Sequence, residues 1–233
     1  MSNYAIVLAA GKGKRMKADM NKQFLTIKNK PILYYTLRQI SNCKEIDHIV
    51  LIASKEEIEY CKTNIVKKYK FKKIENVIEG GTERQESVLK GLLYLQDKNC
   101  DIVCIHDGAR PFINSYVIEK GIEYAKLYGA TSCGVPPKDT IKIRKSNRFS
   151  EKTLNRDYLF CVQTPQTFNY DLILKAHLYI HRNKIVVTDD TAVVECLNHR
   201  VFLYNGDYNN IKITTPEDMI LGERILEEIE KEL

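Results

Sequence analysis

The feature that most constrains the fold is an unbroken apolar segment near the start of the chain, Tyr4 to Ala10, which leads directly into a glycine-rich turn. A run of this kind is typical of a strand that helices cover on both faces. Further apolar segments lie at residues 48–53, 76–78 and 102–106, and helical patterns separate them. This alternation predicts a three-layer α/β fold with a mostly parallel, Rossmann-like sheet.

Four segments between the predicted strands carry signals for the start of a helix: Pro31, Ser54 with Glu57, Thr82 with Gln85, and Thr215 to Asp218. Proline is favoured at the first helical position, and a hydroxyl residue followed three positions later by Glu or Gln can form a capping box. We therefore expect a helix after each signal. The chain shows no internal repeat or dividing linker, so residues 1–233 are interpreted as one domain.

One segment, residues 138–156, departs from this alternation. Ile141 and Ile143 alternate there with Lys142 and Arg144, and a turn near residues 145–147 predicts a β-hairpin. An isolated two-stranded ribbon with so few apolar residues is only marginally stable. We expect the hairpin to project as an arm that packs on a second subunit, which predicts a homodimer.

Composition narrows the environment of the protein. The seven cysteines show no framework spacing, and Cys100 and Cys104 would share one face of their predicted strand as free thiols, which indicates a reducing, cytoplasmic compartment. There is no run of about 18 apolar residues that would predict a membrane span. The formal charge of +6 favours anionic partners, but no nucleic-acid-reading motif accompanies it. Neither nucleic acid nor a membrane is an expected partner.

Two histidines at helical spacing, His177 and His181, form a pattern that resembles a metal site. Residues four apart on a helix can bind one ion together, yet no third ligand and no HExxH signature accompanies this pair. We interpret both histidines as residues on a solvated helix face.

The glycine-rich turn after the first strand reads LAAGKGKRM, Leu8 to Met16. Its small residues let the backbone approach a ligand, and backbone N–H groups in such a loop can cradle phosphate. It is not a Walker loop, because the Gly-Lys-Ser/Thr ending is missing, and Met16 takes the place of the third glycine in the dinucleotide fingerprint. Lys22, in the segment NKQFL, is close enough along the chain to act with Arg15 on a bound triphosphate.

Six further blocks follow these two segments in order: GGTERQESV (80–88), HDGARPF (106–112), PPKDTIK (136–142), LNRDYLFCVQTPQTF (154–168), TDD (188–190) and NIKITTPED (210–218). Together with LAAGKGKRM and NKQFL, they resemble the cytidylyltransferase family that makes 4-diphosphocytidyl-2-C-methyl-D-erythritol from CTP. So many ordered blocks are a specific pattern, unlike any one of them. The resemblance implies a nucleotidyltransferase that uses CTP, Mg²⁺ and a polyol phosphate.

The resemblance also assigns roles in the nucleotide half of the site. Arg15 and Lys22 match the residues that stabilise the transition state at the α-phosphate, and Asp107 matches the Mg²⁺ ligand. A carboxylate at the carboxyl end of a strand suits that role, since open α/β sheets bind ligands there and Mg²⁺ takes its other ligands from phosphates. The implied nucleotide-binding residues are Ala9, Ala10, Gly11, Gly13, Gly81, Thr82 and Ser87.

For the acceptor, the resemblance points to Arg156 and Lys212, which would hold the phosphate of methylerythritol phosphate. The residues implied to add hydrogen bonds are Arg110, Thr140, Thr164 and Thr188. Thr140 and Arg156 lie at the two ends of the predicted arm. The resemblance implies that the arm reaches the partner subunit's site, which would make dimerisation a condition for activity.

Three alternatives stay open at this point. The first is the same chemistry on ribitol 5-phosphate, although enzymes of that kind often have a double glycine in the first loop and VRPF after the metal aspartate, where this chain has Ala9-Ala10 and ARPF. The second is a CTP-binding module without catalysis. It would need the glycine-rich loop but not the combination of Lys22, Asp107, Arg156 and Lys212. The third, a nicotinamide-dependent dehydrogenase, lacks its third glycine.

Overall fold

The computed structural model describes residues 1–11 and 21–231, which fold around a central β-sheet. The strands are β1 (Ser2–Ala9), β2 (Thr26–Ile27), β3 (Lys30–Pro31), β4 (His48–Ala53), β5 (Ile74–Glu79), β6 (Cys100–Asp107), β7 (Ala130–Val135), β8 (Lys142–Arg144), β9 (Ser150–Thr153), β10 (Cys161–Asn169) and β11 (Phe202–Asn205). The helices are α1 (Ile32–Asn42), α2 (Ile58–Tyr60), α3 (Arg84–Tyr94), α4 (Ser115–Tyr128), α5 (Tyr170–Asn183), α6 (Asp190–Glu195) and α7 (Pro216–Lys231). Short 3₁₀ turns cover Lys22–Phe24, Lys55–Glu57 and Arg156–Tyr158, and Cys61–Lys67 continues α2 as a π-helix.

Seven strands form the central sheet, in the order β11-β7-β10-β6-β1-β4-β5. β10 is antiparallel to both of its neighbours, whereas β1 is parallel to β4 and β6, β4 to β5, and β7 to β11. β2 pairs with β3, and β8 pairs with β9, in separate two-stranded ribbons. The prediction of a mostly parallel α/β sheet is therefore confirmed.

Consecutive residues of β1 show why the sheet carries a helical layer on each face. Val7 is fully buried in one core with Leu37 of α1, and Ile6 is fully buried in the opposite core with Leu92 of α3 and Ile173 of α5. Side chains alternate between the faces of a strand, so an unbroken apolar run requires both faces to be covered. A third core joins the apolar face of α7 to α1, to β2 and to Phe112 in the loop after β6.

The prediction that Cys100 and Cys104 share a face of β6 is wrong. The pairing of β6 with β1 shifts by one residue at Asp101, so that Ser2 lies opposite Cys100 while Asn3 lies opposite Ile102. Such a bulge turns the residues before it to the other side of the sheet. Cys104 is consequently buried in the core with Val7, whereas Cys100 packs against the core on the opposite face. All seven cysteines are free thiols.

Helices follow three of the four predicted starts directly, but the caps differ from the prediction. α1 begins at Ile32, so Pro31 takes the cap position before the helix and not its first residue. The capping box at Ser54 does not form, because its hydroxyl donates 2.6 Å to the Glu57 carboxylate and binds no backbone N–H. α7 begins at Pro216, as predicted. In the described part of the chain, no helix combines the length and apolar character needed to cross a membrane.

The predicted hairpin is present between residues 138 and 156. β8 and β9 are antiparallel, with Lys142 opposite Thr153, and residues 145–149 form the connecting turn. Every residue of both strands is exposed. The hairpin is therefore confirmed, whereas its packing on a second subunit stays a prediction.

Candidate active site

Asp107 is the last residue of β6 and lies at the carboxyl edge of the sheet with its side chain largely buried, 8% exposed. Its backbone N–H donates to the Thr164 hydroxyl at 3.0 Å, and the same hydroxyl lies 3.1 Å from Nδ1 of His106. Burial lowers the pKa of His106 to about 4, so the ring is neutral at pH 7. The end of β6 is thus held in place by the neighbouring strand β10, which carries Thr164.

Three cationic side chains converge on the Asp107 carboxylate. Lys212 Nζ lies 2.7 Å from Oδ2, Arg84 Nε lies 3.4 Å from Oδ1, and Arg110 Nε lies 3.9 Å from Oδ2. Burial alone would raise the pKa of Asp107, but Arg84, Lys212 and Arg110 outweigh it and hold the pKa well below its usual range. The carboxylate is ionised at neutral pH, and positive charge is in local excess, as a site for a polyanion requires.

Lys212 and Arg110 reach this site because two loops are joined by backbone hydrogen bonds. The N–H of Ile213 donates to the carbonyl of Ala109 at 2.8 Å, which places Lys212 beside the turn that follows β6. Arg110 Nη1 donates to the carbonyl of Asn210 at 2.8 Å. The C-terminal segment and the turn after β6 therefore form one unit.

Most of the predicted nucleotide-binding residues line a single cleft beside Asp107. Those among its lining residues are Ala10, Gly11, Gly81, Thr82 and Ser87, together with Asp107 and Lys212. Leu8 of β1, Gln23, Arg84 and Ala109 also line this cleft. Residues from five separate sequence blocks thus come together, which is the arrangement that the resemblance implies.

The turn at Gly81 is tightly packed against α3. A Cβ at Gly81 would lie 2.3 Å from the Cβ of Glu86, so no larger residue fits without rearrangement. The Gly81 N–H donates to the Ser87 hydroxyl at 3.0 Å. Thr82 donates to Glu86 Oε2 through its N–H at 2.9 Å and its hydroxyl at 2.7 Å. The predicted pairing of Thr82 with Gln85 is wrong, because Glu86 is the residue that closes this turn.

Part of the predicted site lies outside the described residues. Gly13 and Arg15 belong to the segment 12–20, and of Lys22 only the backbone is described, in the short turn Lys22–Phe24. The next residue, Gln23, is buried, donates to the carbonyl of Ala9 and lines the cleft. The backbone at Lys22 is therefore adjacent to the site.

The predicted acceptor-binding residues divide into two groups. Lys212, Arg110 and Thr164 surround Asp107, as described above. Thr140, Arg156 and Thr188 are exposed, and none of them is among the residues that line the cleft. Arg156 Nη1 donates to the carbonyl of Lys138 at 3.0 Å, which ties together the two ends of the hairpin.

The sequence reasoning missed Arg84 and misinterpreted His177. Arg84 Nη2 lies 2.7 Å from Oδ2 of Asp190, so this arginine bridges two carboxylates. His177 is not on a solvated face: it is 1% exposed, with Nε2 3.3 Å from Oδ1 of Asp190, while His181 is exposed. Arg84 and Asp190 lie inside the blocks GGTERQESV and TDD, and this position was the sequence signal that could have identified them as part of the site.

The donor chemistry of the site suits a divalent cation that is shared with a ligand. Among the described residues, no three His, Cys, Asp or Glu side chains are grouped as metal ligands. Asp107 offers one ionised carboxylate at the edge of the cleft, with cations already drawn to both of its oxygens. Mg²⁺ commonly takes one or two carboxylates and completes its shell with substrate phosphates and water. The residues fit that arrangement and not a metal held by protein alone.

An open, mostly parallel sheet with a cationic cleft at the carboxyl ends of its strands defines an α/β nucleotide-binding protein. The chain belongs to the 2-C-methyl-D-erythritol 4-phosphate cytidylyltransferase family, whose model matches residues 4–228. A relative of that name from Clostridium novyi (strain NT) is 58% identical over 227 residues, 97% of each chain. One from Clostridium kluyveri (strain NBRC 12016) is 55% identical over 224 residues, 96% of each chain.

Solved structures agree with this assignment. The crystal structure of 4-diphosphocytidyl-2C-methyl-D-erythritol synthase from Anaerococcus prevotii DSM 20548 matches with a TM-score of 0.85 at 33% identity, covering 97% of this chain and 96% of that chain. The family resemblance, the fold class and the class of enzyme, a cytidylyltransferase, are therefore confirmed.

Proposed function

We propose that the chain transfers CMP from CTP to 2-C-methyl-D-erythritol 4-phosphate, giving 4-diphosphocytidyl-2-C-methyl-D-erythritol and pyrophosphate in isoprenoid biosynthesis. The observation that carries the proposal is the convergence of Lys212, Arg84 and Arg110 on Asp107 within the cleft that also contains Gly81 and its turn. Membership of the family supports the substrates.

In this reaction an oxygen of the acceptor phosphate attacks the α-phosphorus of CTP in line. The bond from the α-phosphorus to the oxygen that bridges to the β-phosphate breaks, and pyrophosphate leaves with that oxygen. Both reactants are anionic, so the protein acts chiefly by aligning them and reducing their repulsion. Lys212 and Arg110 are assigned to the acceptor phosphate, and Arg15 and Lys22 to the α-phosphate.

Asp107 is the residue that would hold Mg²⁺. When bound, the ion supplies positive charge to the triphosphate and to the pyrophosphate leaving group. The role of the protein here is to keep the carboxylate ionised and fixed. It does so through the backbone hydrogen bond to Thr164 and through the surrounding cations.

Pyrophosphate release measured with CTP, Mg²⁺ and a panel of polyol phosphates tests the proposal. We expect methylerythritol phosphate to give the highest kcat/KM, with ribitol 5-phosphate and glycerol 3-phosphate well below it. The residues Ala9-Ala10, Ala109 to Phe112 and Lys138 to Thr140 favour that order. A preference for ribitol 5-phosphate would assign the chain to the first alternative, and binding of CTP without pyrophosphate release from any acceptor would revive the non-catalytic module.

The hairpin is proposed to pair with a second copy of the chain. Its strand β8, its turn and the segment just after it expose apolar side chains, with Ile143 43%, Phe149 73% and Tyr158 87% exposed. Several exposed apolar side chains in one short segment support an interaction surface, and a ribbon without a core gains stability from a partner. Because Arg156 lies outside the cleft of its own subunit, the dimer would let it serve the partner's site.

A complementation experiment tests this arrangement. Two chains, one carrying Lys212→Ala and the other Arg156→Ala, are each expected to be nearly inactive alone. Coexpressed, they are expected to recover about a quarter of the wild-type activity, since half of the randomly paired dimers would contain one complete site. Sedimentation is expected to give twice the 27.0 kDa chain mass. A monomer, or a mixture no more active than its components, would refute the arrangement.

The remaining expectations concern the surroundings of the enzyme. Free thiols at all seven cysteines are consistent with a reducing cytoplasm. The two anionic substrates, CTP and a polyol phosphate, explain the positive charge of the cleft. Neither nucleic acid nor a membrane is an expected partner.

A further inference from the structure

A second carboxylate, Asp190, lies behind the cleft and takes no part in lining it. Its side chain is fully buried, 0% exposed, at the first residue of α6. Its Oδ2 forms an ion pair of 2.7 Å with Arg84 Nη2. Within residues 1–11 and 21–231 no donor is aligned for a hydrogen bond to that oxygen, so the guanidinium charge is its compensation. A buried charge is tolerated only when it is paired in this way.

The position of Asp190 is set independently of the cleft. Its backbone N–H donates to Oε1 of Gln166 at 2.9 Å, and its Oδ1 lies 3.3 Å from Nε2 of the buried His177. Gln166 in turn donates to Oδ2 of Asp189 at 2.7 Å. Asp190 is therefore anchored by β10 and α5, and the carboxylate that binds Arg84 has a fixed position.

Arg84 is shared unequally between its two carboxylates. Its Nη2 is 2.7 Å from Asp190, but its Nε is 3.4 Å from Oδ1 of Asp107. A guanidinium can bind one carboxylate through two parallel hydrogen bonds, and such a fork is the stronger arrangement. With Nη2 engaged by Asp190, Arg84 approaches Asp107 through Nε and forms no such fork with it.

We propose that Asp190 is a positioning residue that restrains Arg84 from closing on Asp107 and thereby keeps the Asp107 carboxylate available to a divalent cation. This inference rests on the proposed function, in which Asp107 holds the cation. The buried network of His177, Gln166 and Asp190 would thus hold Arg84 in place from behind the cleft.

Mn²⁺ titration in the presence of CTP, without acceptor, tests the proposal. Water-proton relaxation reports the ternary complex, so the readout does not depend on turnover. Asp190→Asn frees Arg84 and is expected to weaken Mn²⁺ binding by roughly 10-fold to 100-fold, the range seen when residues supporting metal ligands are changed. Asp171→Asn is the matched control. It makes the same chemical change at an exposed carboxylate in the first turn of α5, and is expected to leave Mn²⁺ binding within about threefold of wild type.

Arg84→Gln distinguishes two possibilities: that Asp190 restrains Arg84, and that Arg84 supports Asp107. If Asp190 acts by restraining Arg84, removing the arginine leaves Mn²⁺ affinity unchanged or higher, and the double variant Arg84→Gln with Asp190→Asn regains most of the affinity lost in Asp190→Asn. If Arg84 instead supports Asp107, Arg84→Gln weakens Mn²⁺ binding, and the proposal is overturned. Arg84→Gln alone decides the question if Asp190→Asn fails to fold.

Asp107→Asn distinguishes failure of this inference from failure of the proposed function. Loss of Mn²⁺ binding in Asp107→Asn with unchanged binding in Asp190→Asn would reject the restraint alone. Unchanged Mn²⁺ binding in Asp107→Asn would reject the cation site itself, and the inference with it. Circular dichroism and thermal melting of every variant identify those that are folded.

Discussion

Asp107→Asn is expected to lower kcat by about 10²–10³-fold, the effect typical of removing one electrostatic group from an active site. Asparagine keeps the size of the side chain but removes the charge that Lys212 and Arg84 contact at 2.7 and 3.4 Å. The three cations would then repel one another, and the proposed ligand for Mg²⁺ would be lost. Pyrophosphate release at saturating CTP and acceptor measures the effect, with thermal melting to confirm that the variant is folded.

Asp101→Asn provides the matched control for that substitution. Asp101 is in the same strand, β6, at the edge opposite to the site, so the same chemical change is expected to leave kcat within about twofold of wild type. A folded Asp107→Asn enzyme with near-normal turnover would show that the carboxylate is not part of the reaction.

Lys22→Ala is expected to lower turnover by a similar factor, about 10²–10³-fold, while the fold is retained. The reason is the proposed interaction of Lys22 with the charge that grows on the α-phosphate. The backbone of Lys22 is anchored by its neighbours, since Gln23 and Phe24 are buried at 2% and 4% exposure. The loss of one ammonium group should therefore be a local change.

Single-turnover measurements of Lys22→Ala separate chemistry from binding, and the expected result is a slow chemical step with CTP affinity changed far less. Lys30→Ala is the control, because Lys30 lies over the ring of Tyr34, with 4.7 Å from Nζ to the centroid. If Lys22→Ala turned over at a rate close to that of Lys30→Ala, the role assigned to Lys22 would be excluded.

Four of the seven strands of the central sheet, β1, β4, β5 and β6, were predictable because a local apolar pattern determines them, whereas β7, β10 and β11 were not predicted. β4 has the predicted bounds, residues 48–53, and β1 and β6 differ from prediction only at their ends. The bulge at Asp101 was not predictable, since a one-residue shift in pairing depends on the partner strand and leaves the apolar pattern almost unchanged. The faces of Cys100 and Cys104 were therefore assigned incorrectly.

The residues of the site that lie in recognisable sequence blocks were predictable. Asp107 and Lys212, 105 residues apart in sequence, do meet in one cleft, because strand ends and loops gather at one edge of an open sheet. His177 was misread because its exposure depends on Asp190, which only the packing of α5 against α6 brings near. The sequence pattern of one helix does not show that a polar residue on it is buried against a polar partner on another helix.

The reversed direction of β10 has a consequence for how this enzyme can be redesigned. The chain leaves the sheet at the end of β7 and re-enters it at the start of β10, and because β10 is antiparallel to β7, both points are at the edge where β6 ends. A parallel strand would have required a crossover to the far side. Residues 138–156 are therefore expected to be exchangeable between homologues without a shift in any strand of the central sheet. Chimaeras made in this way would test whether the segment affects acceptor choice or subunit pairing while the rest of the chain stays constant.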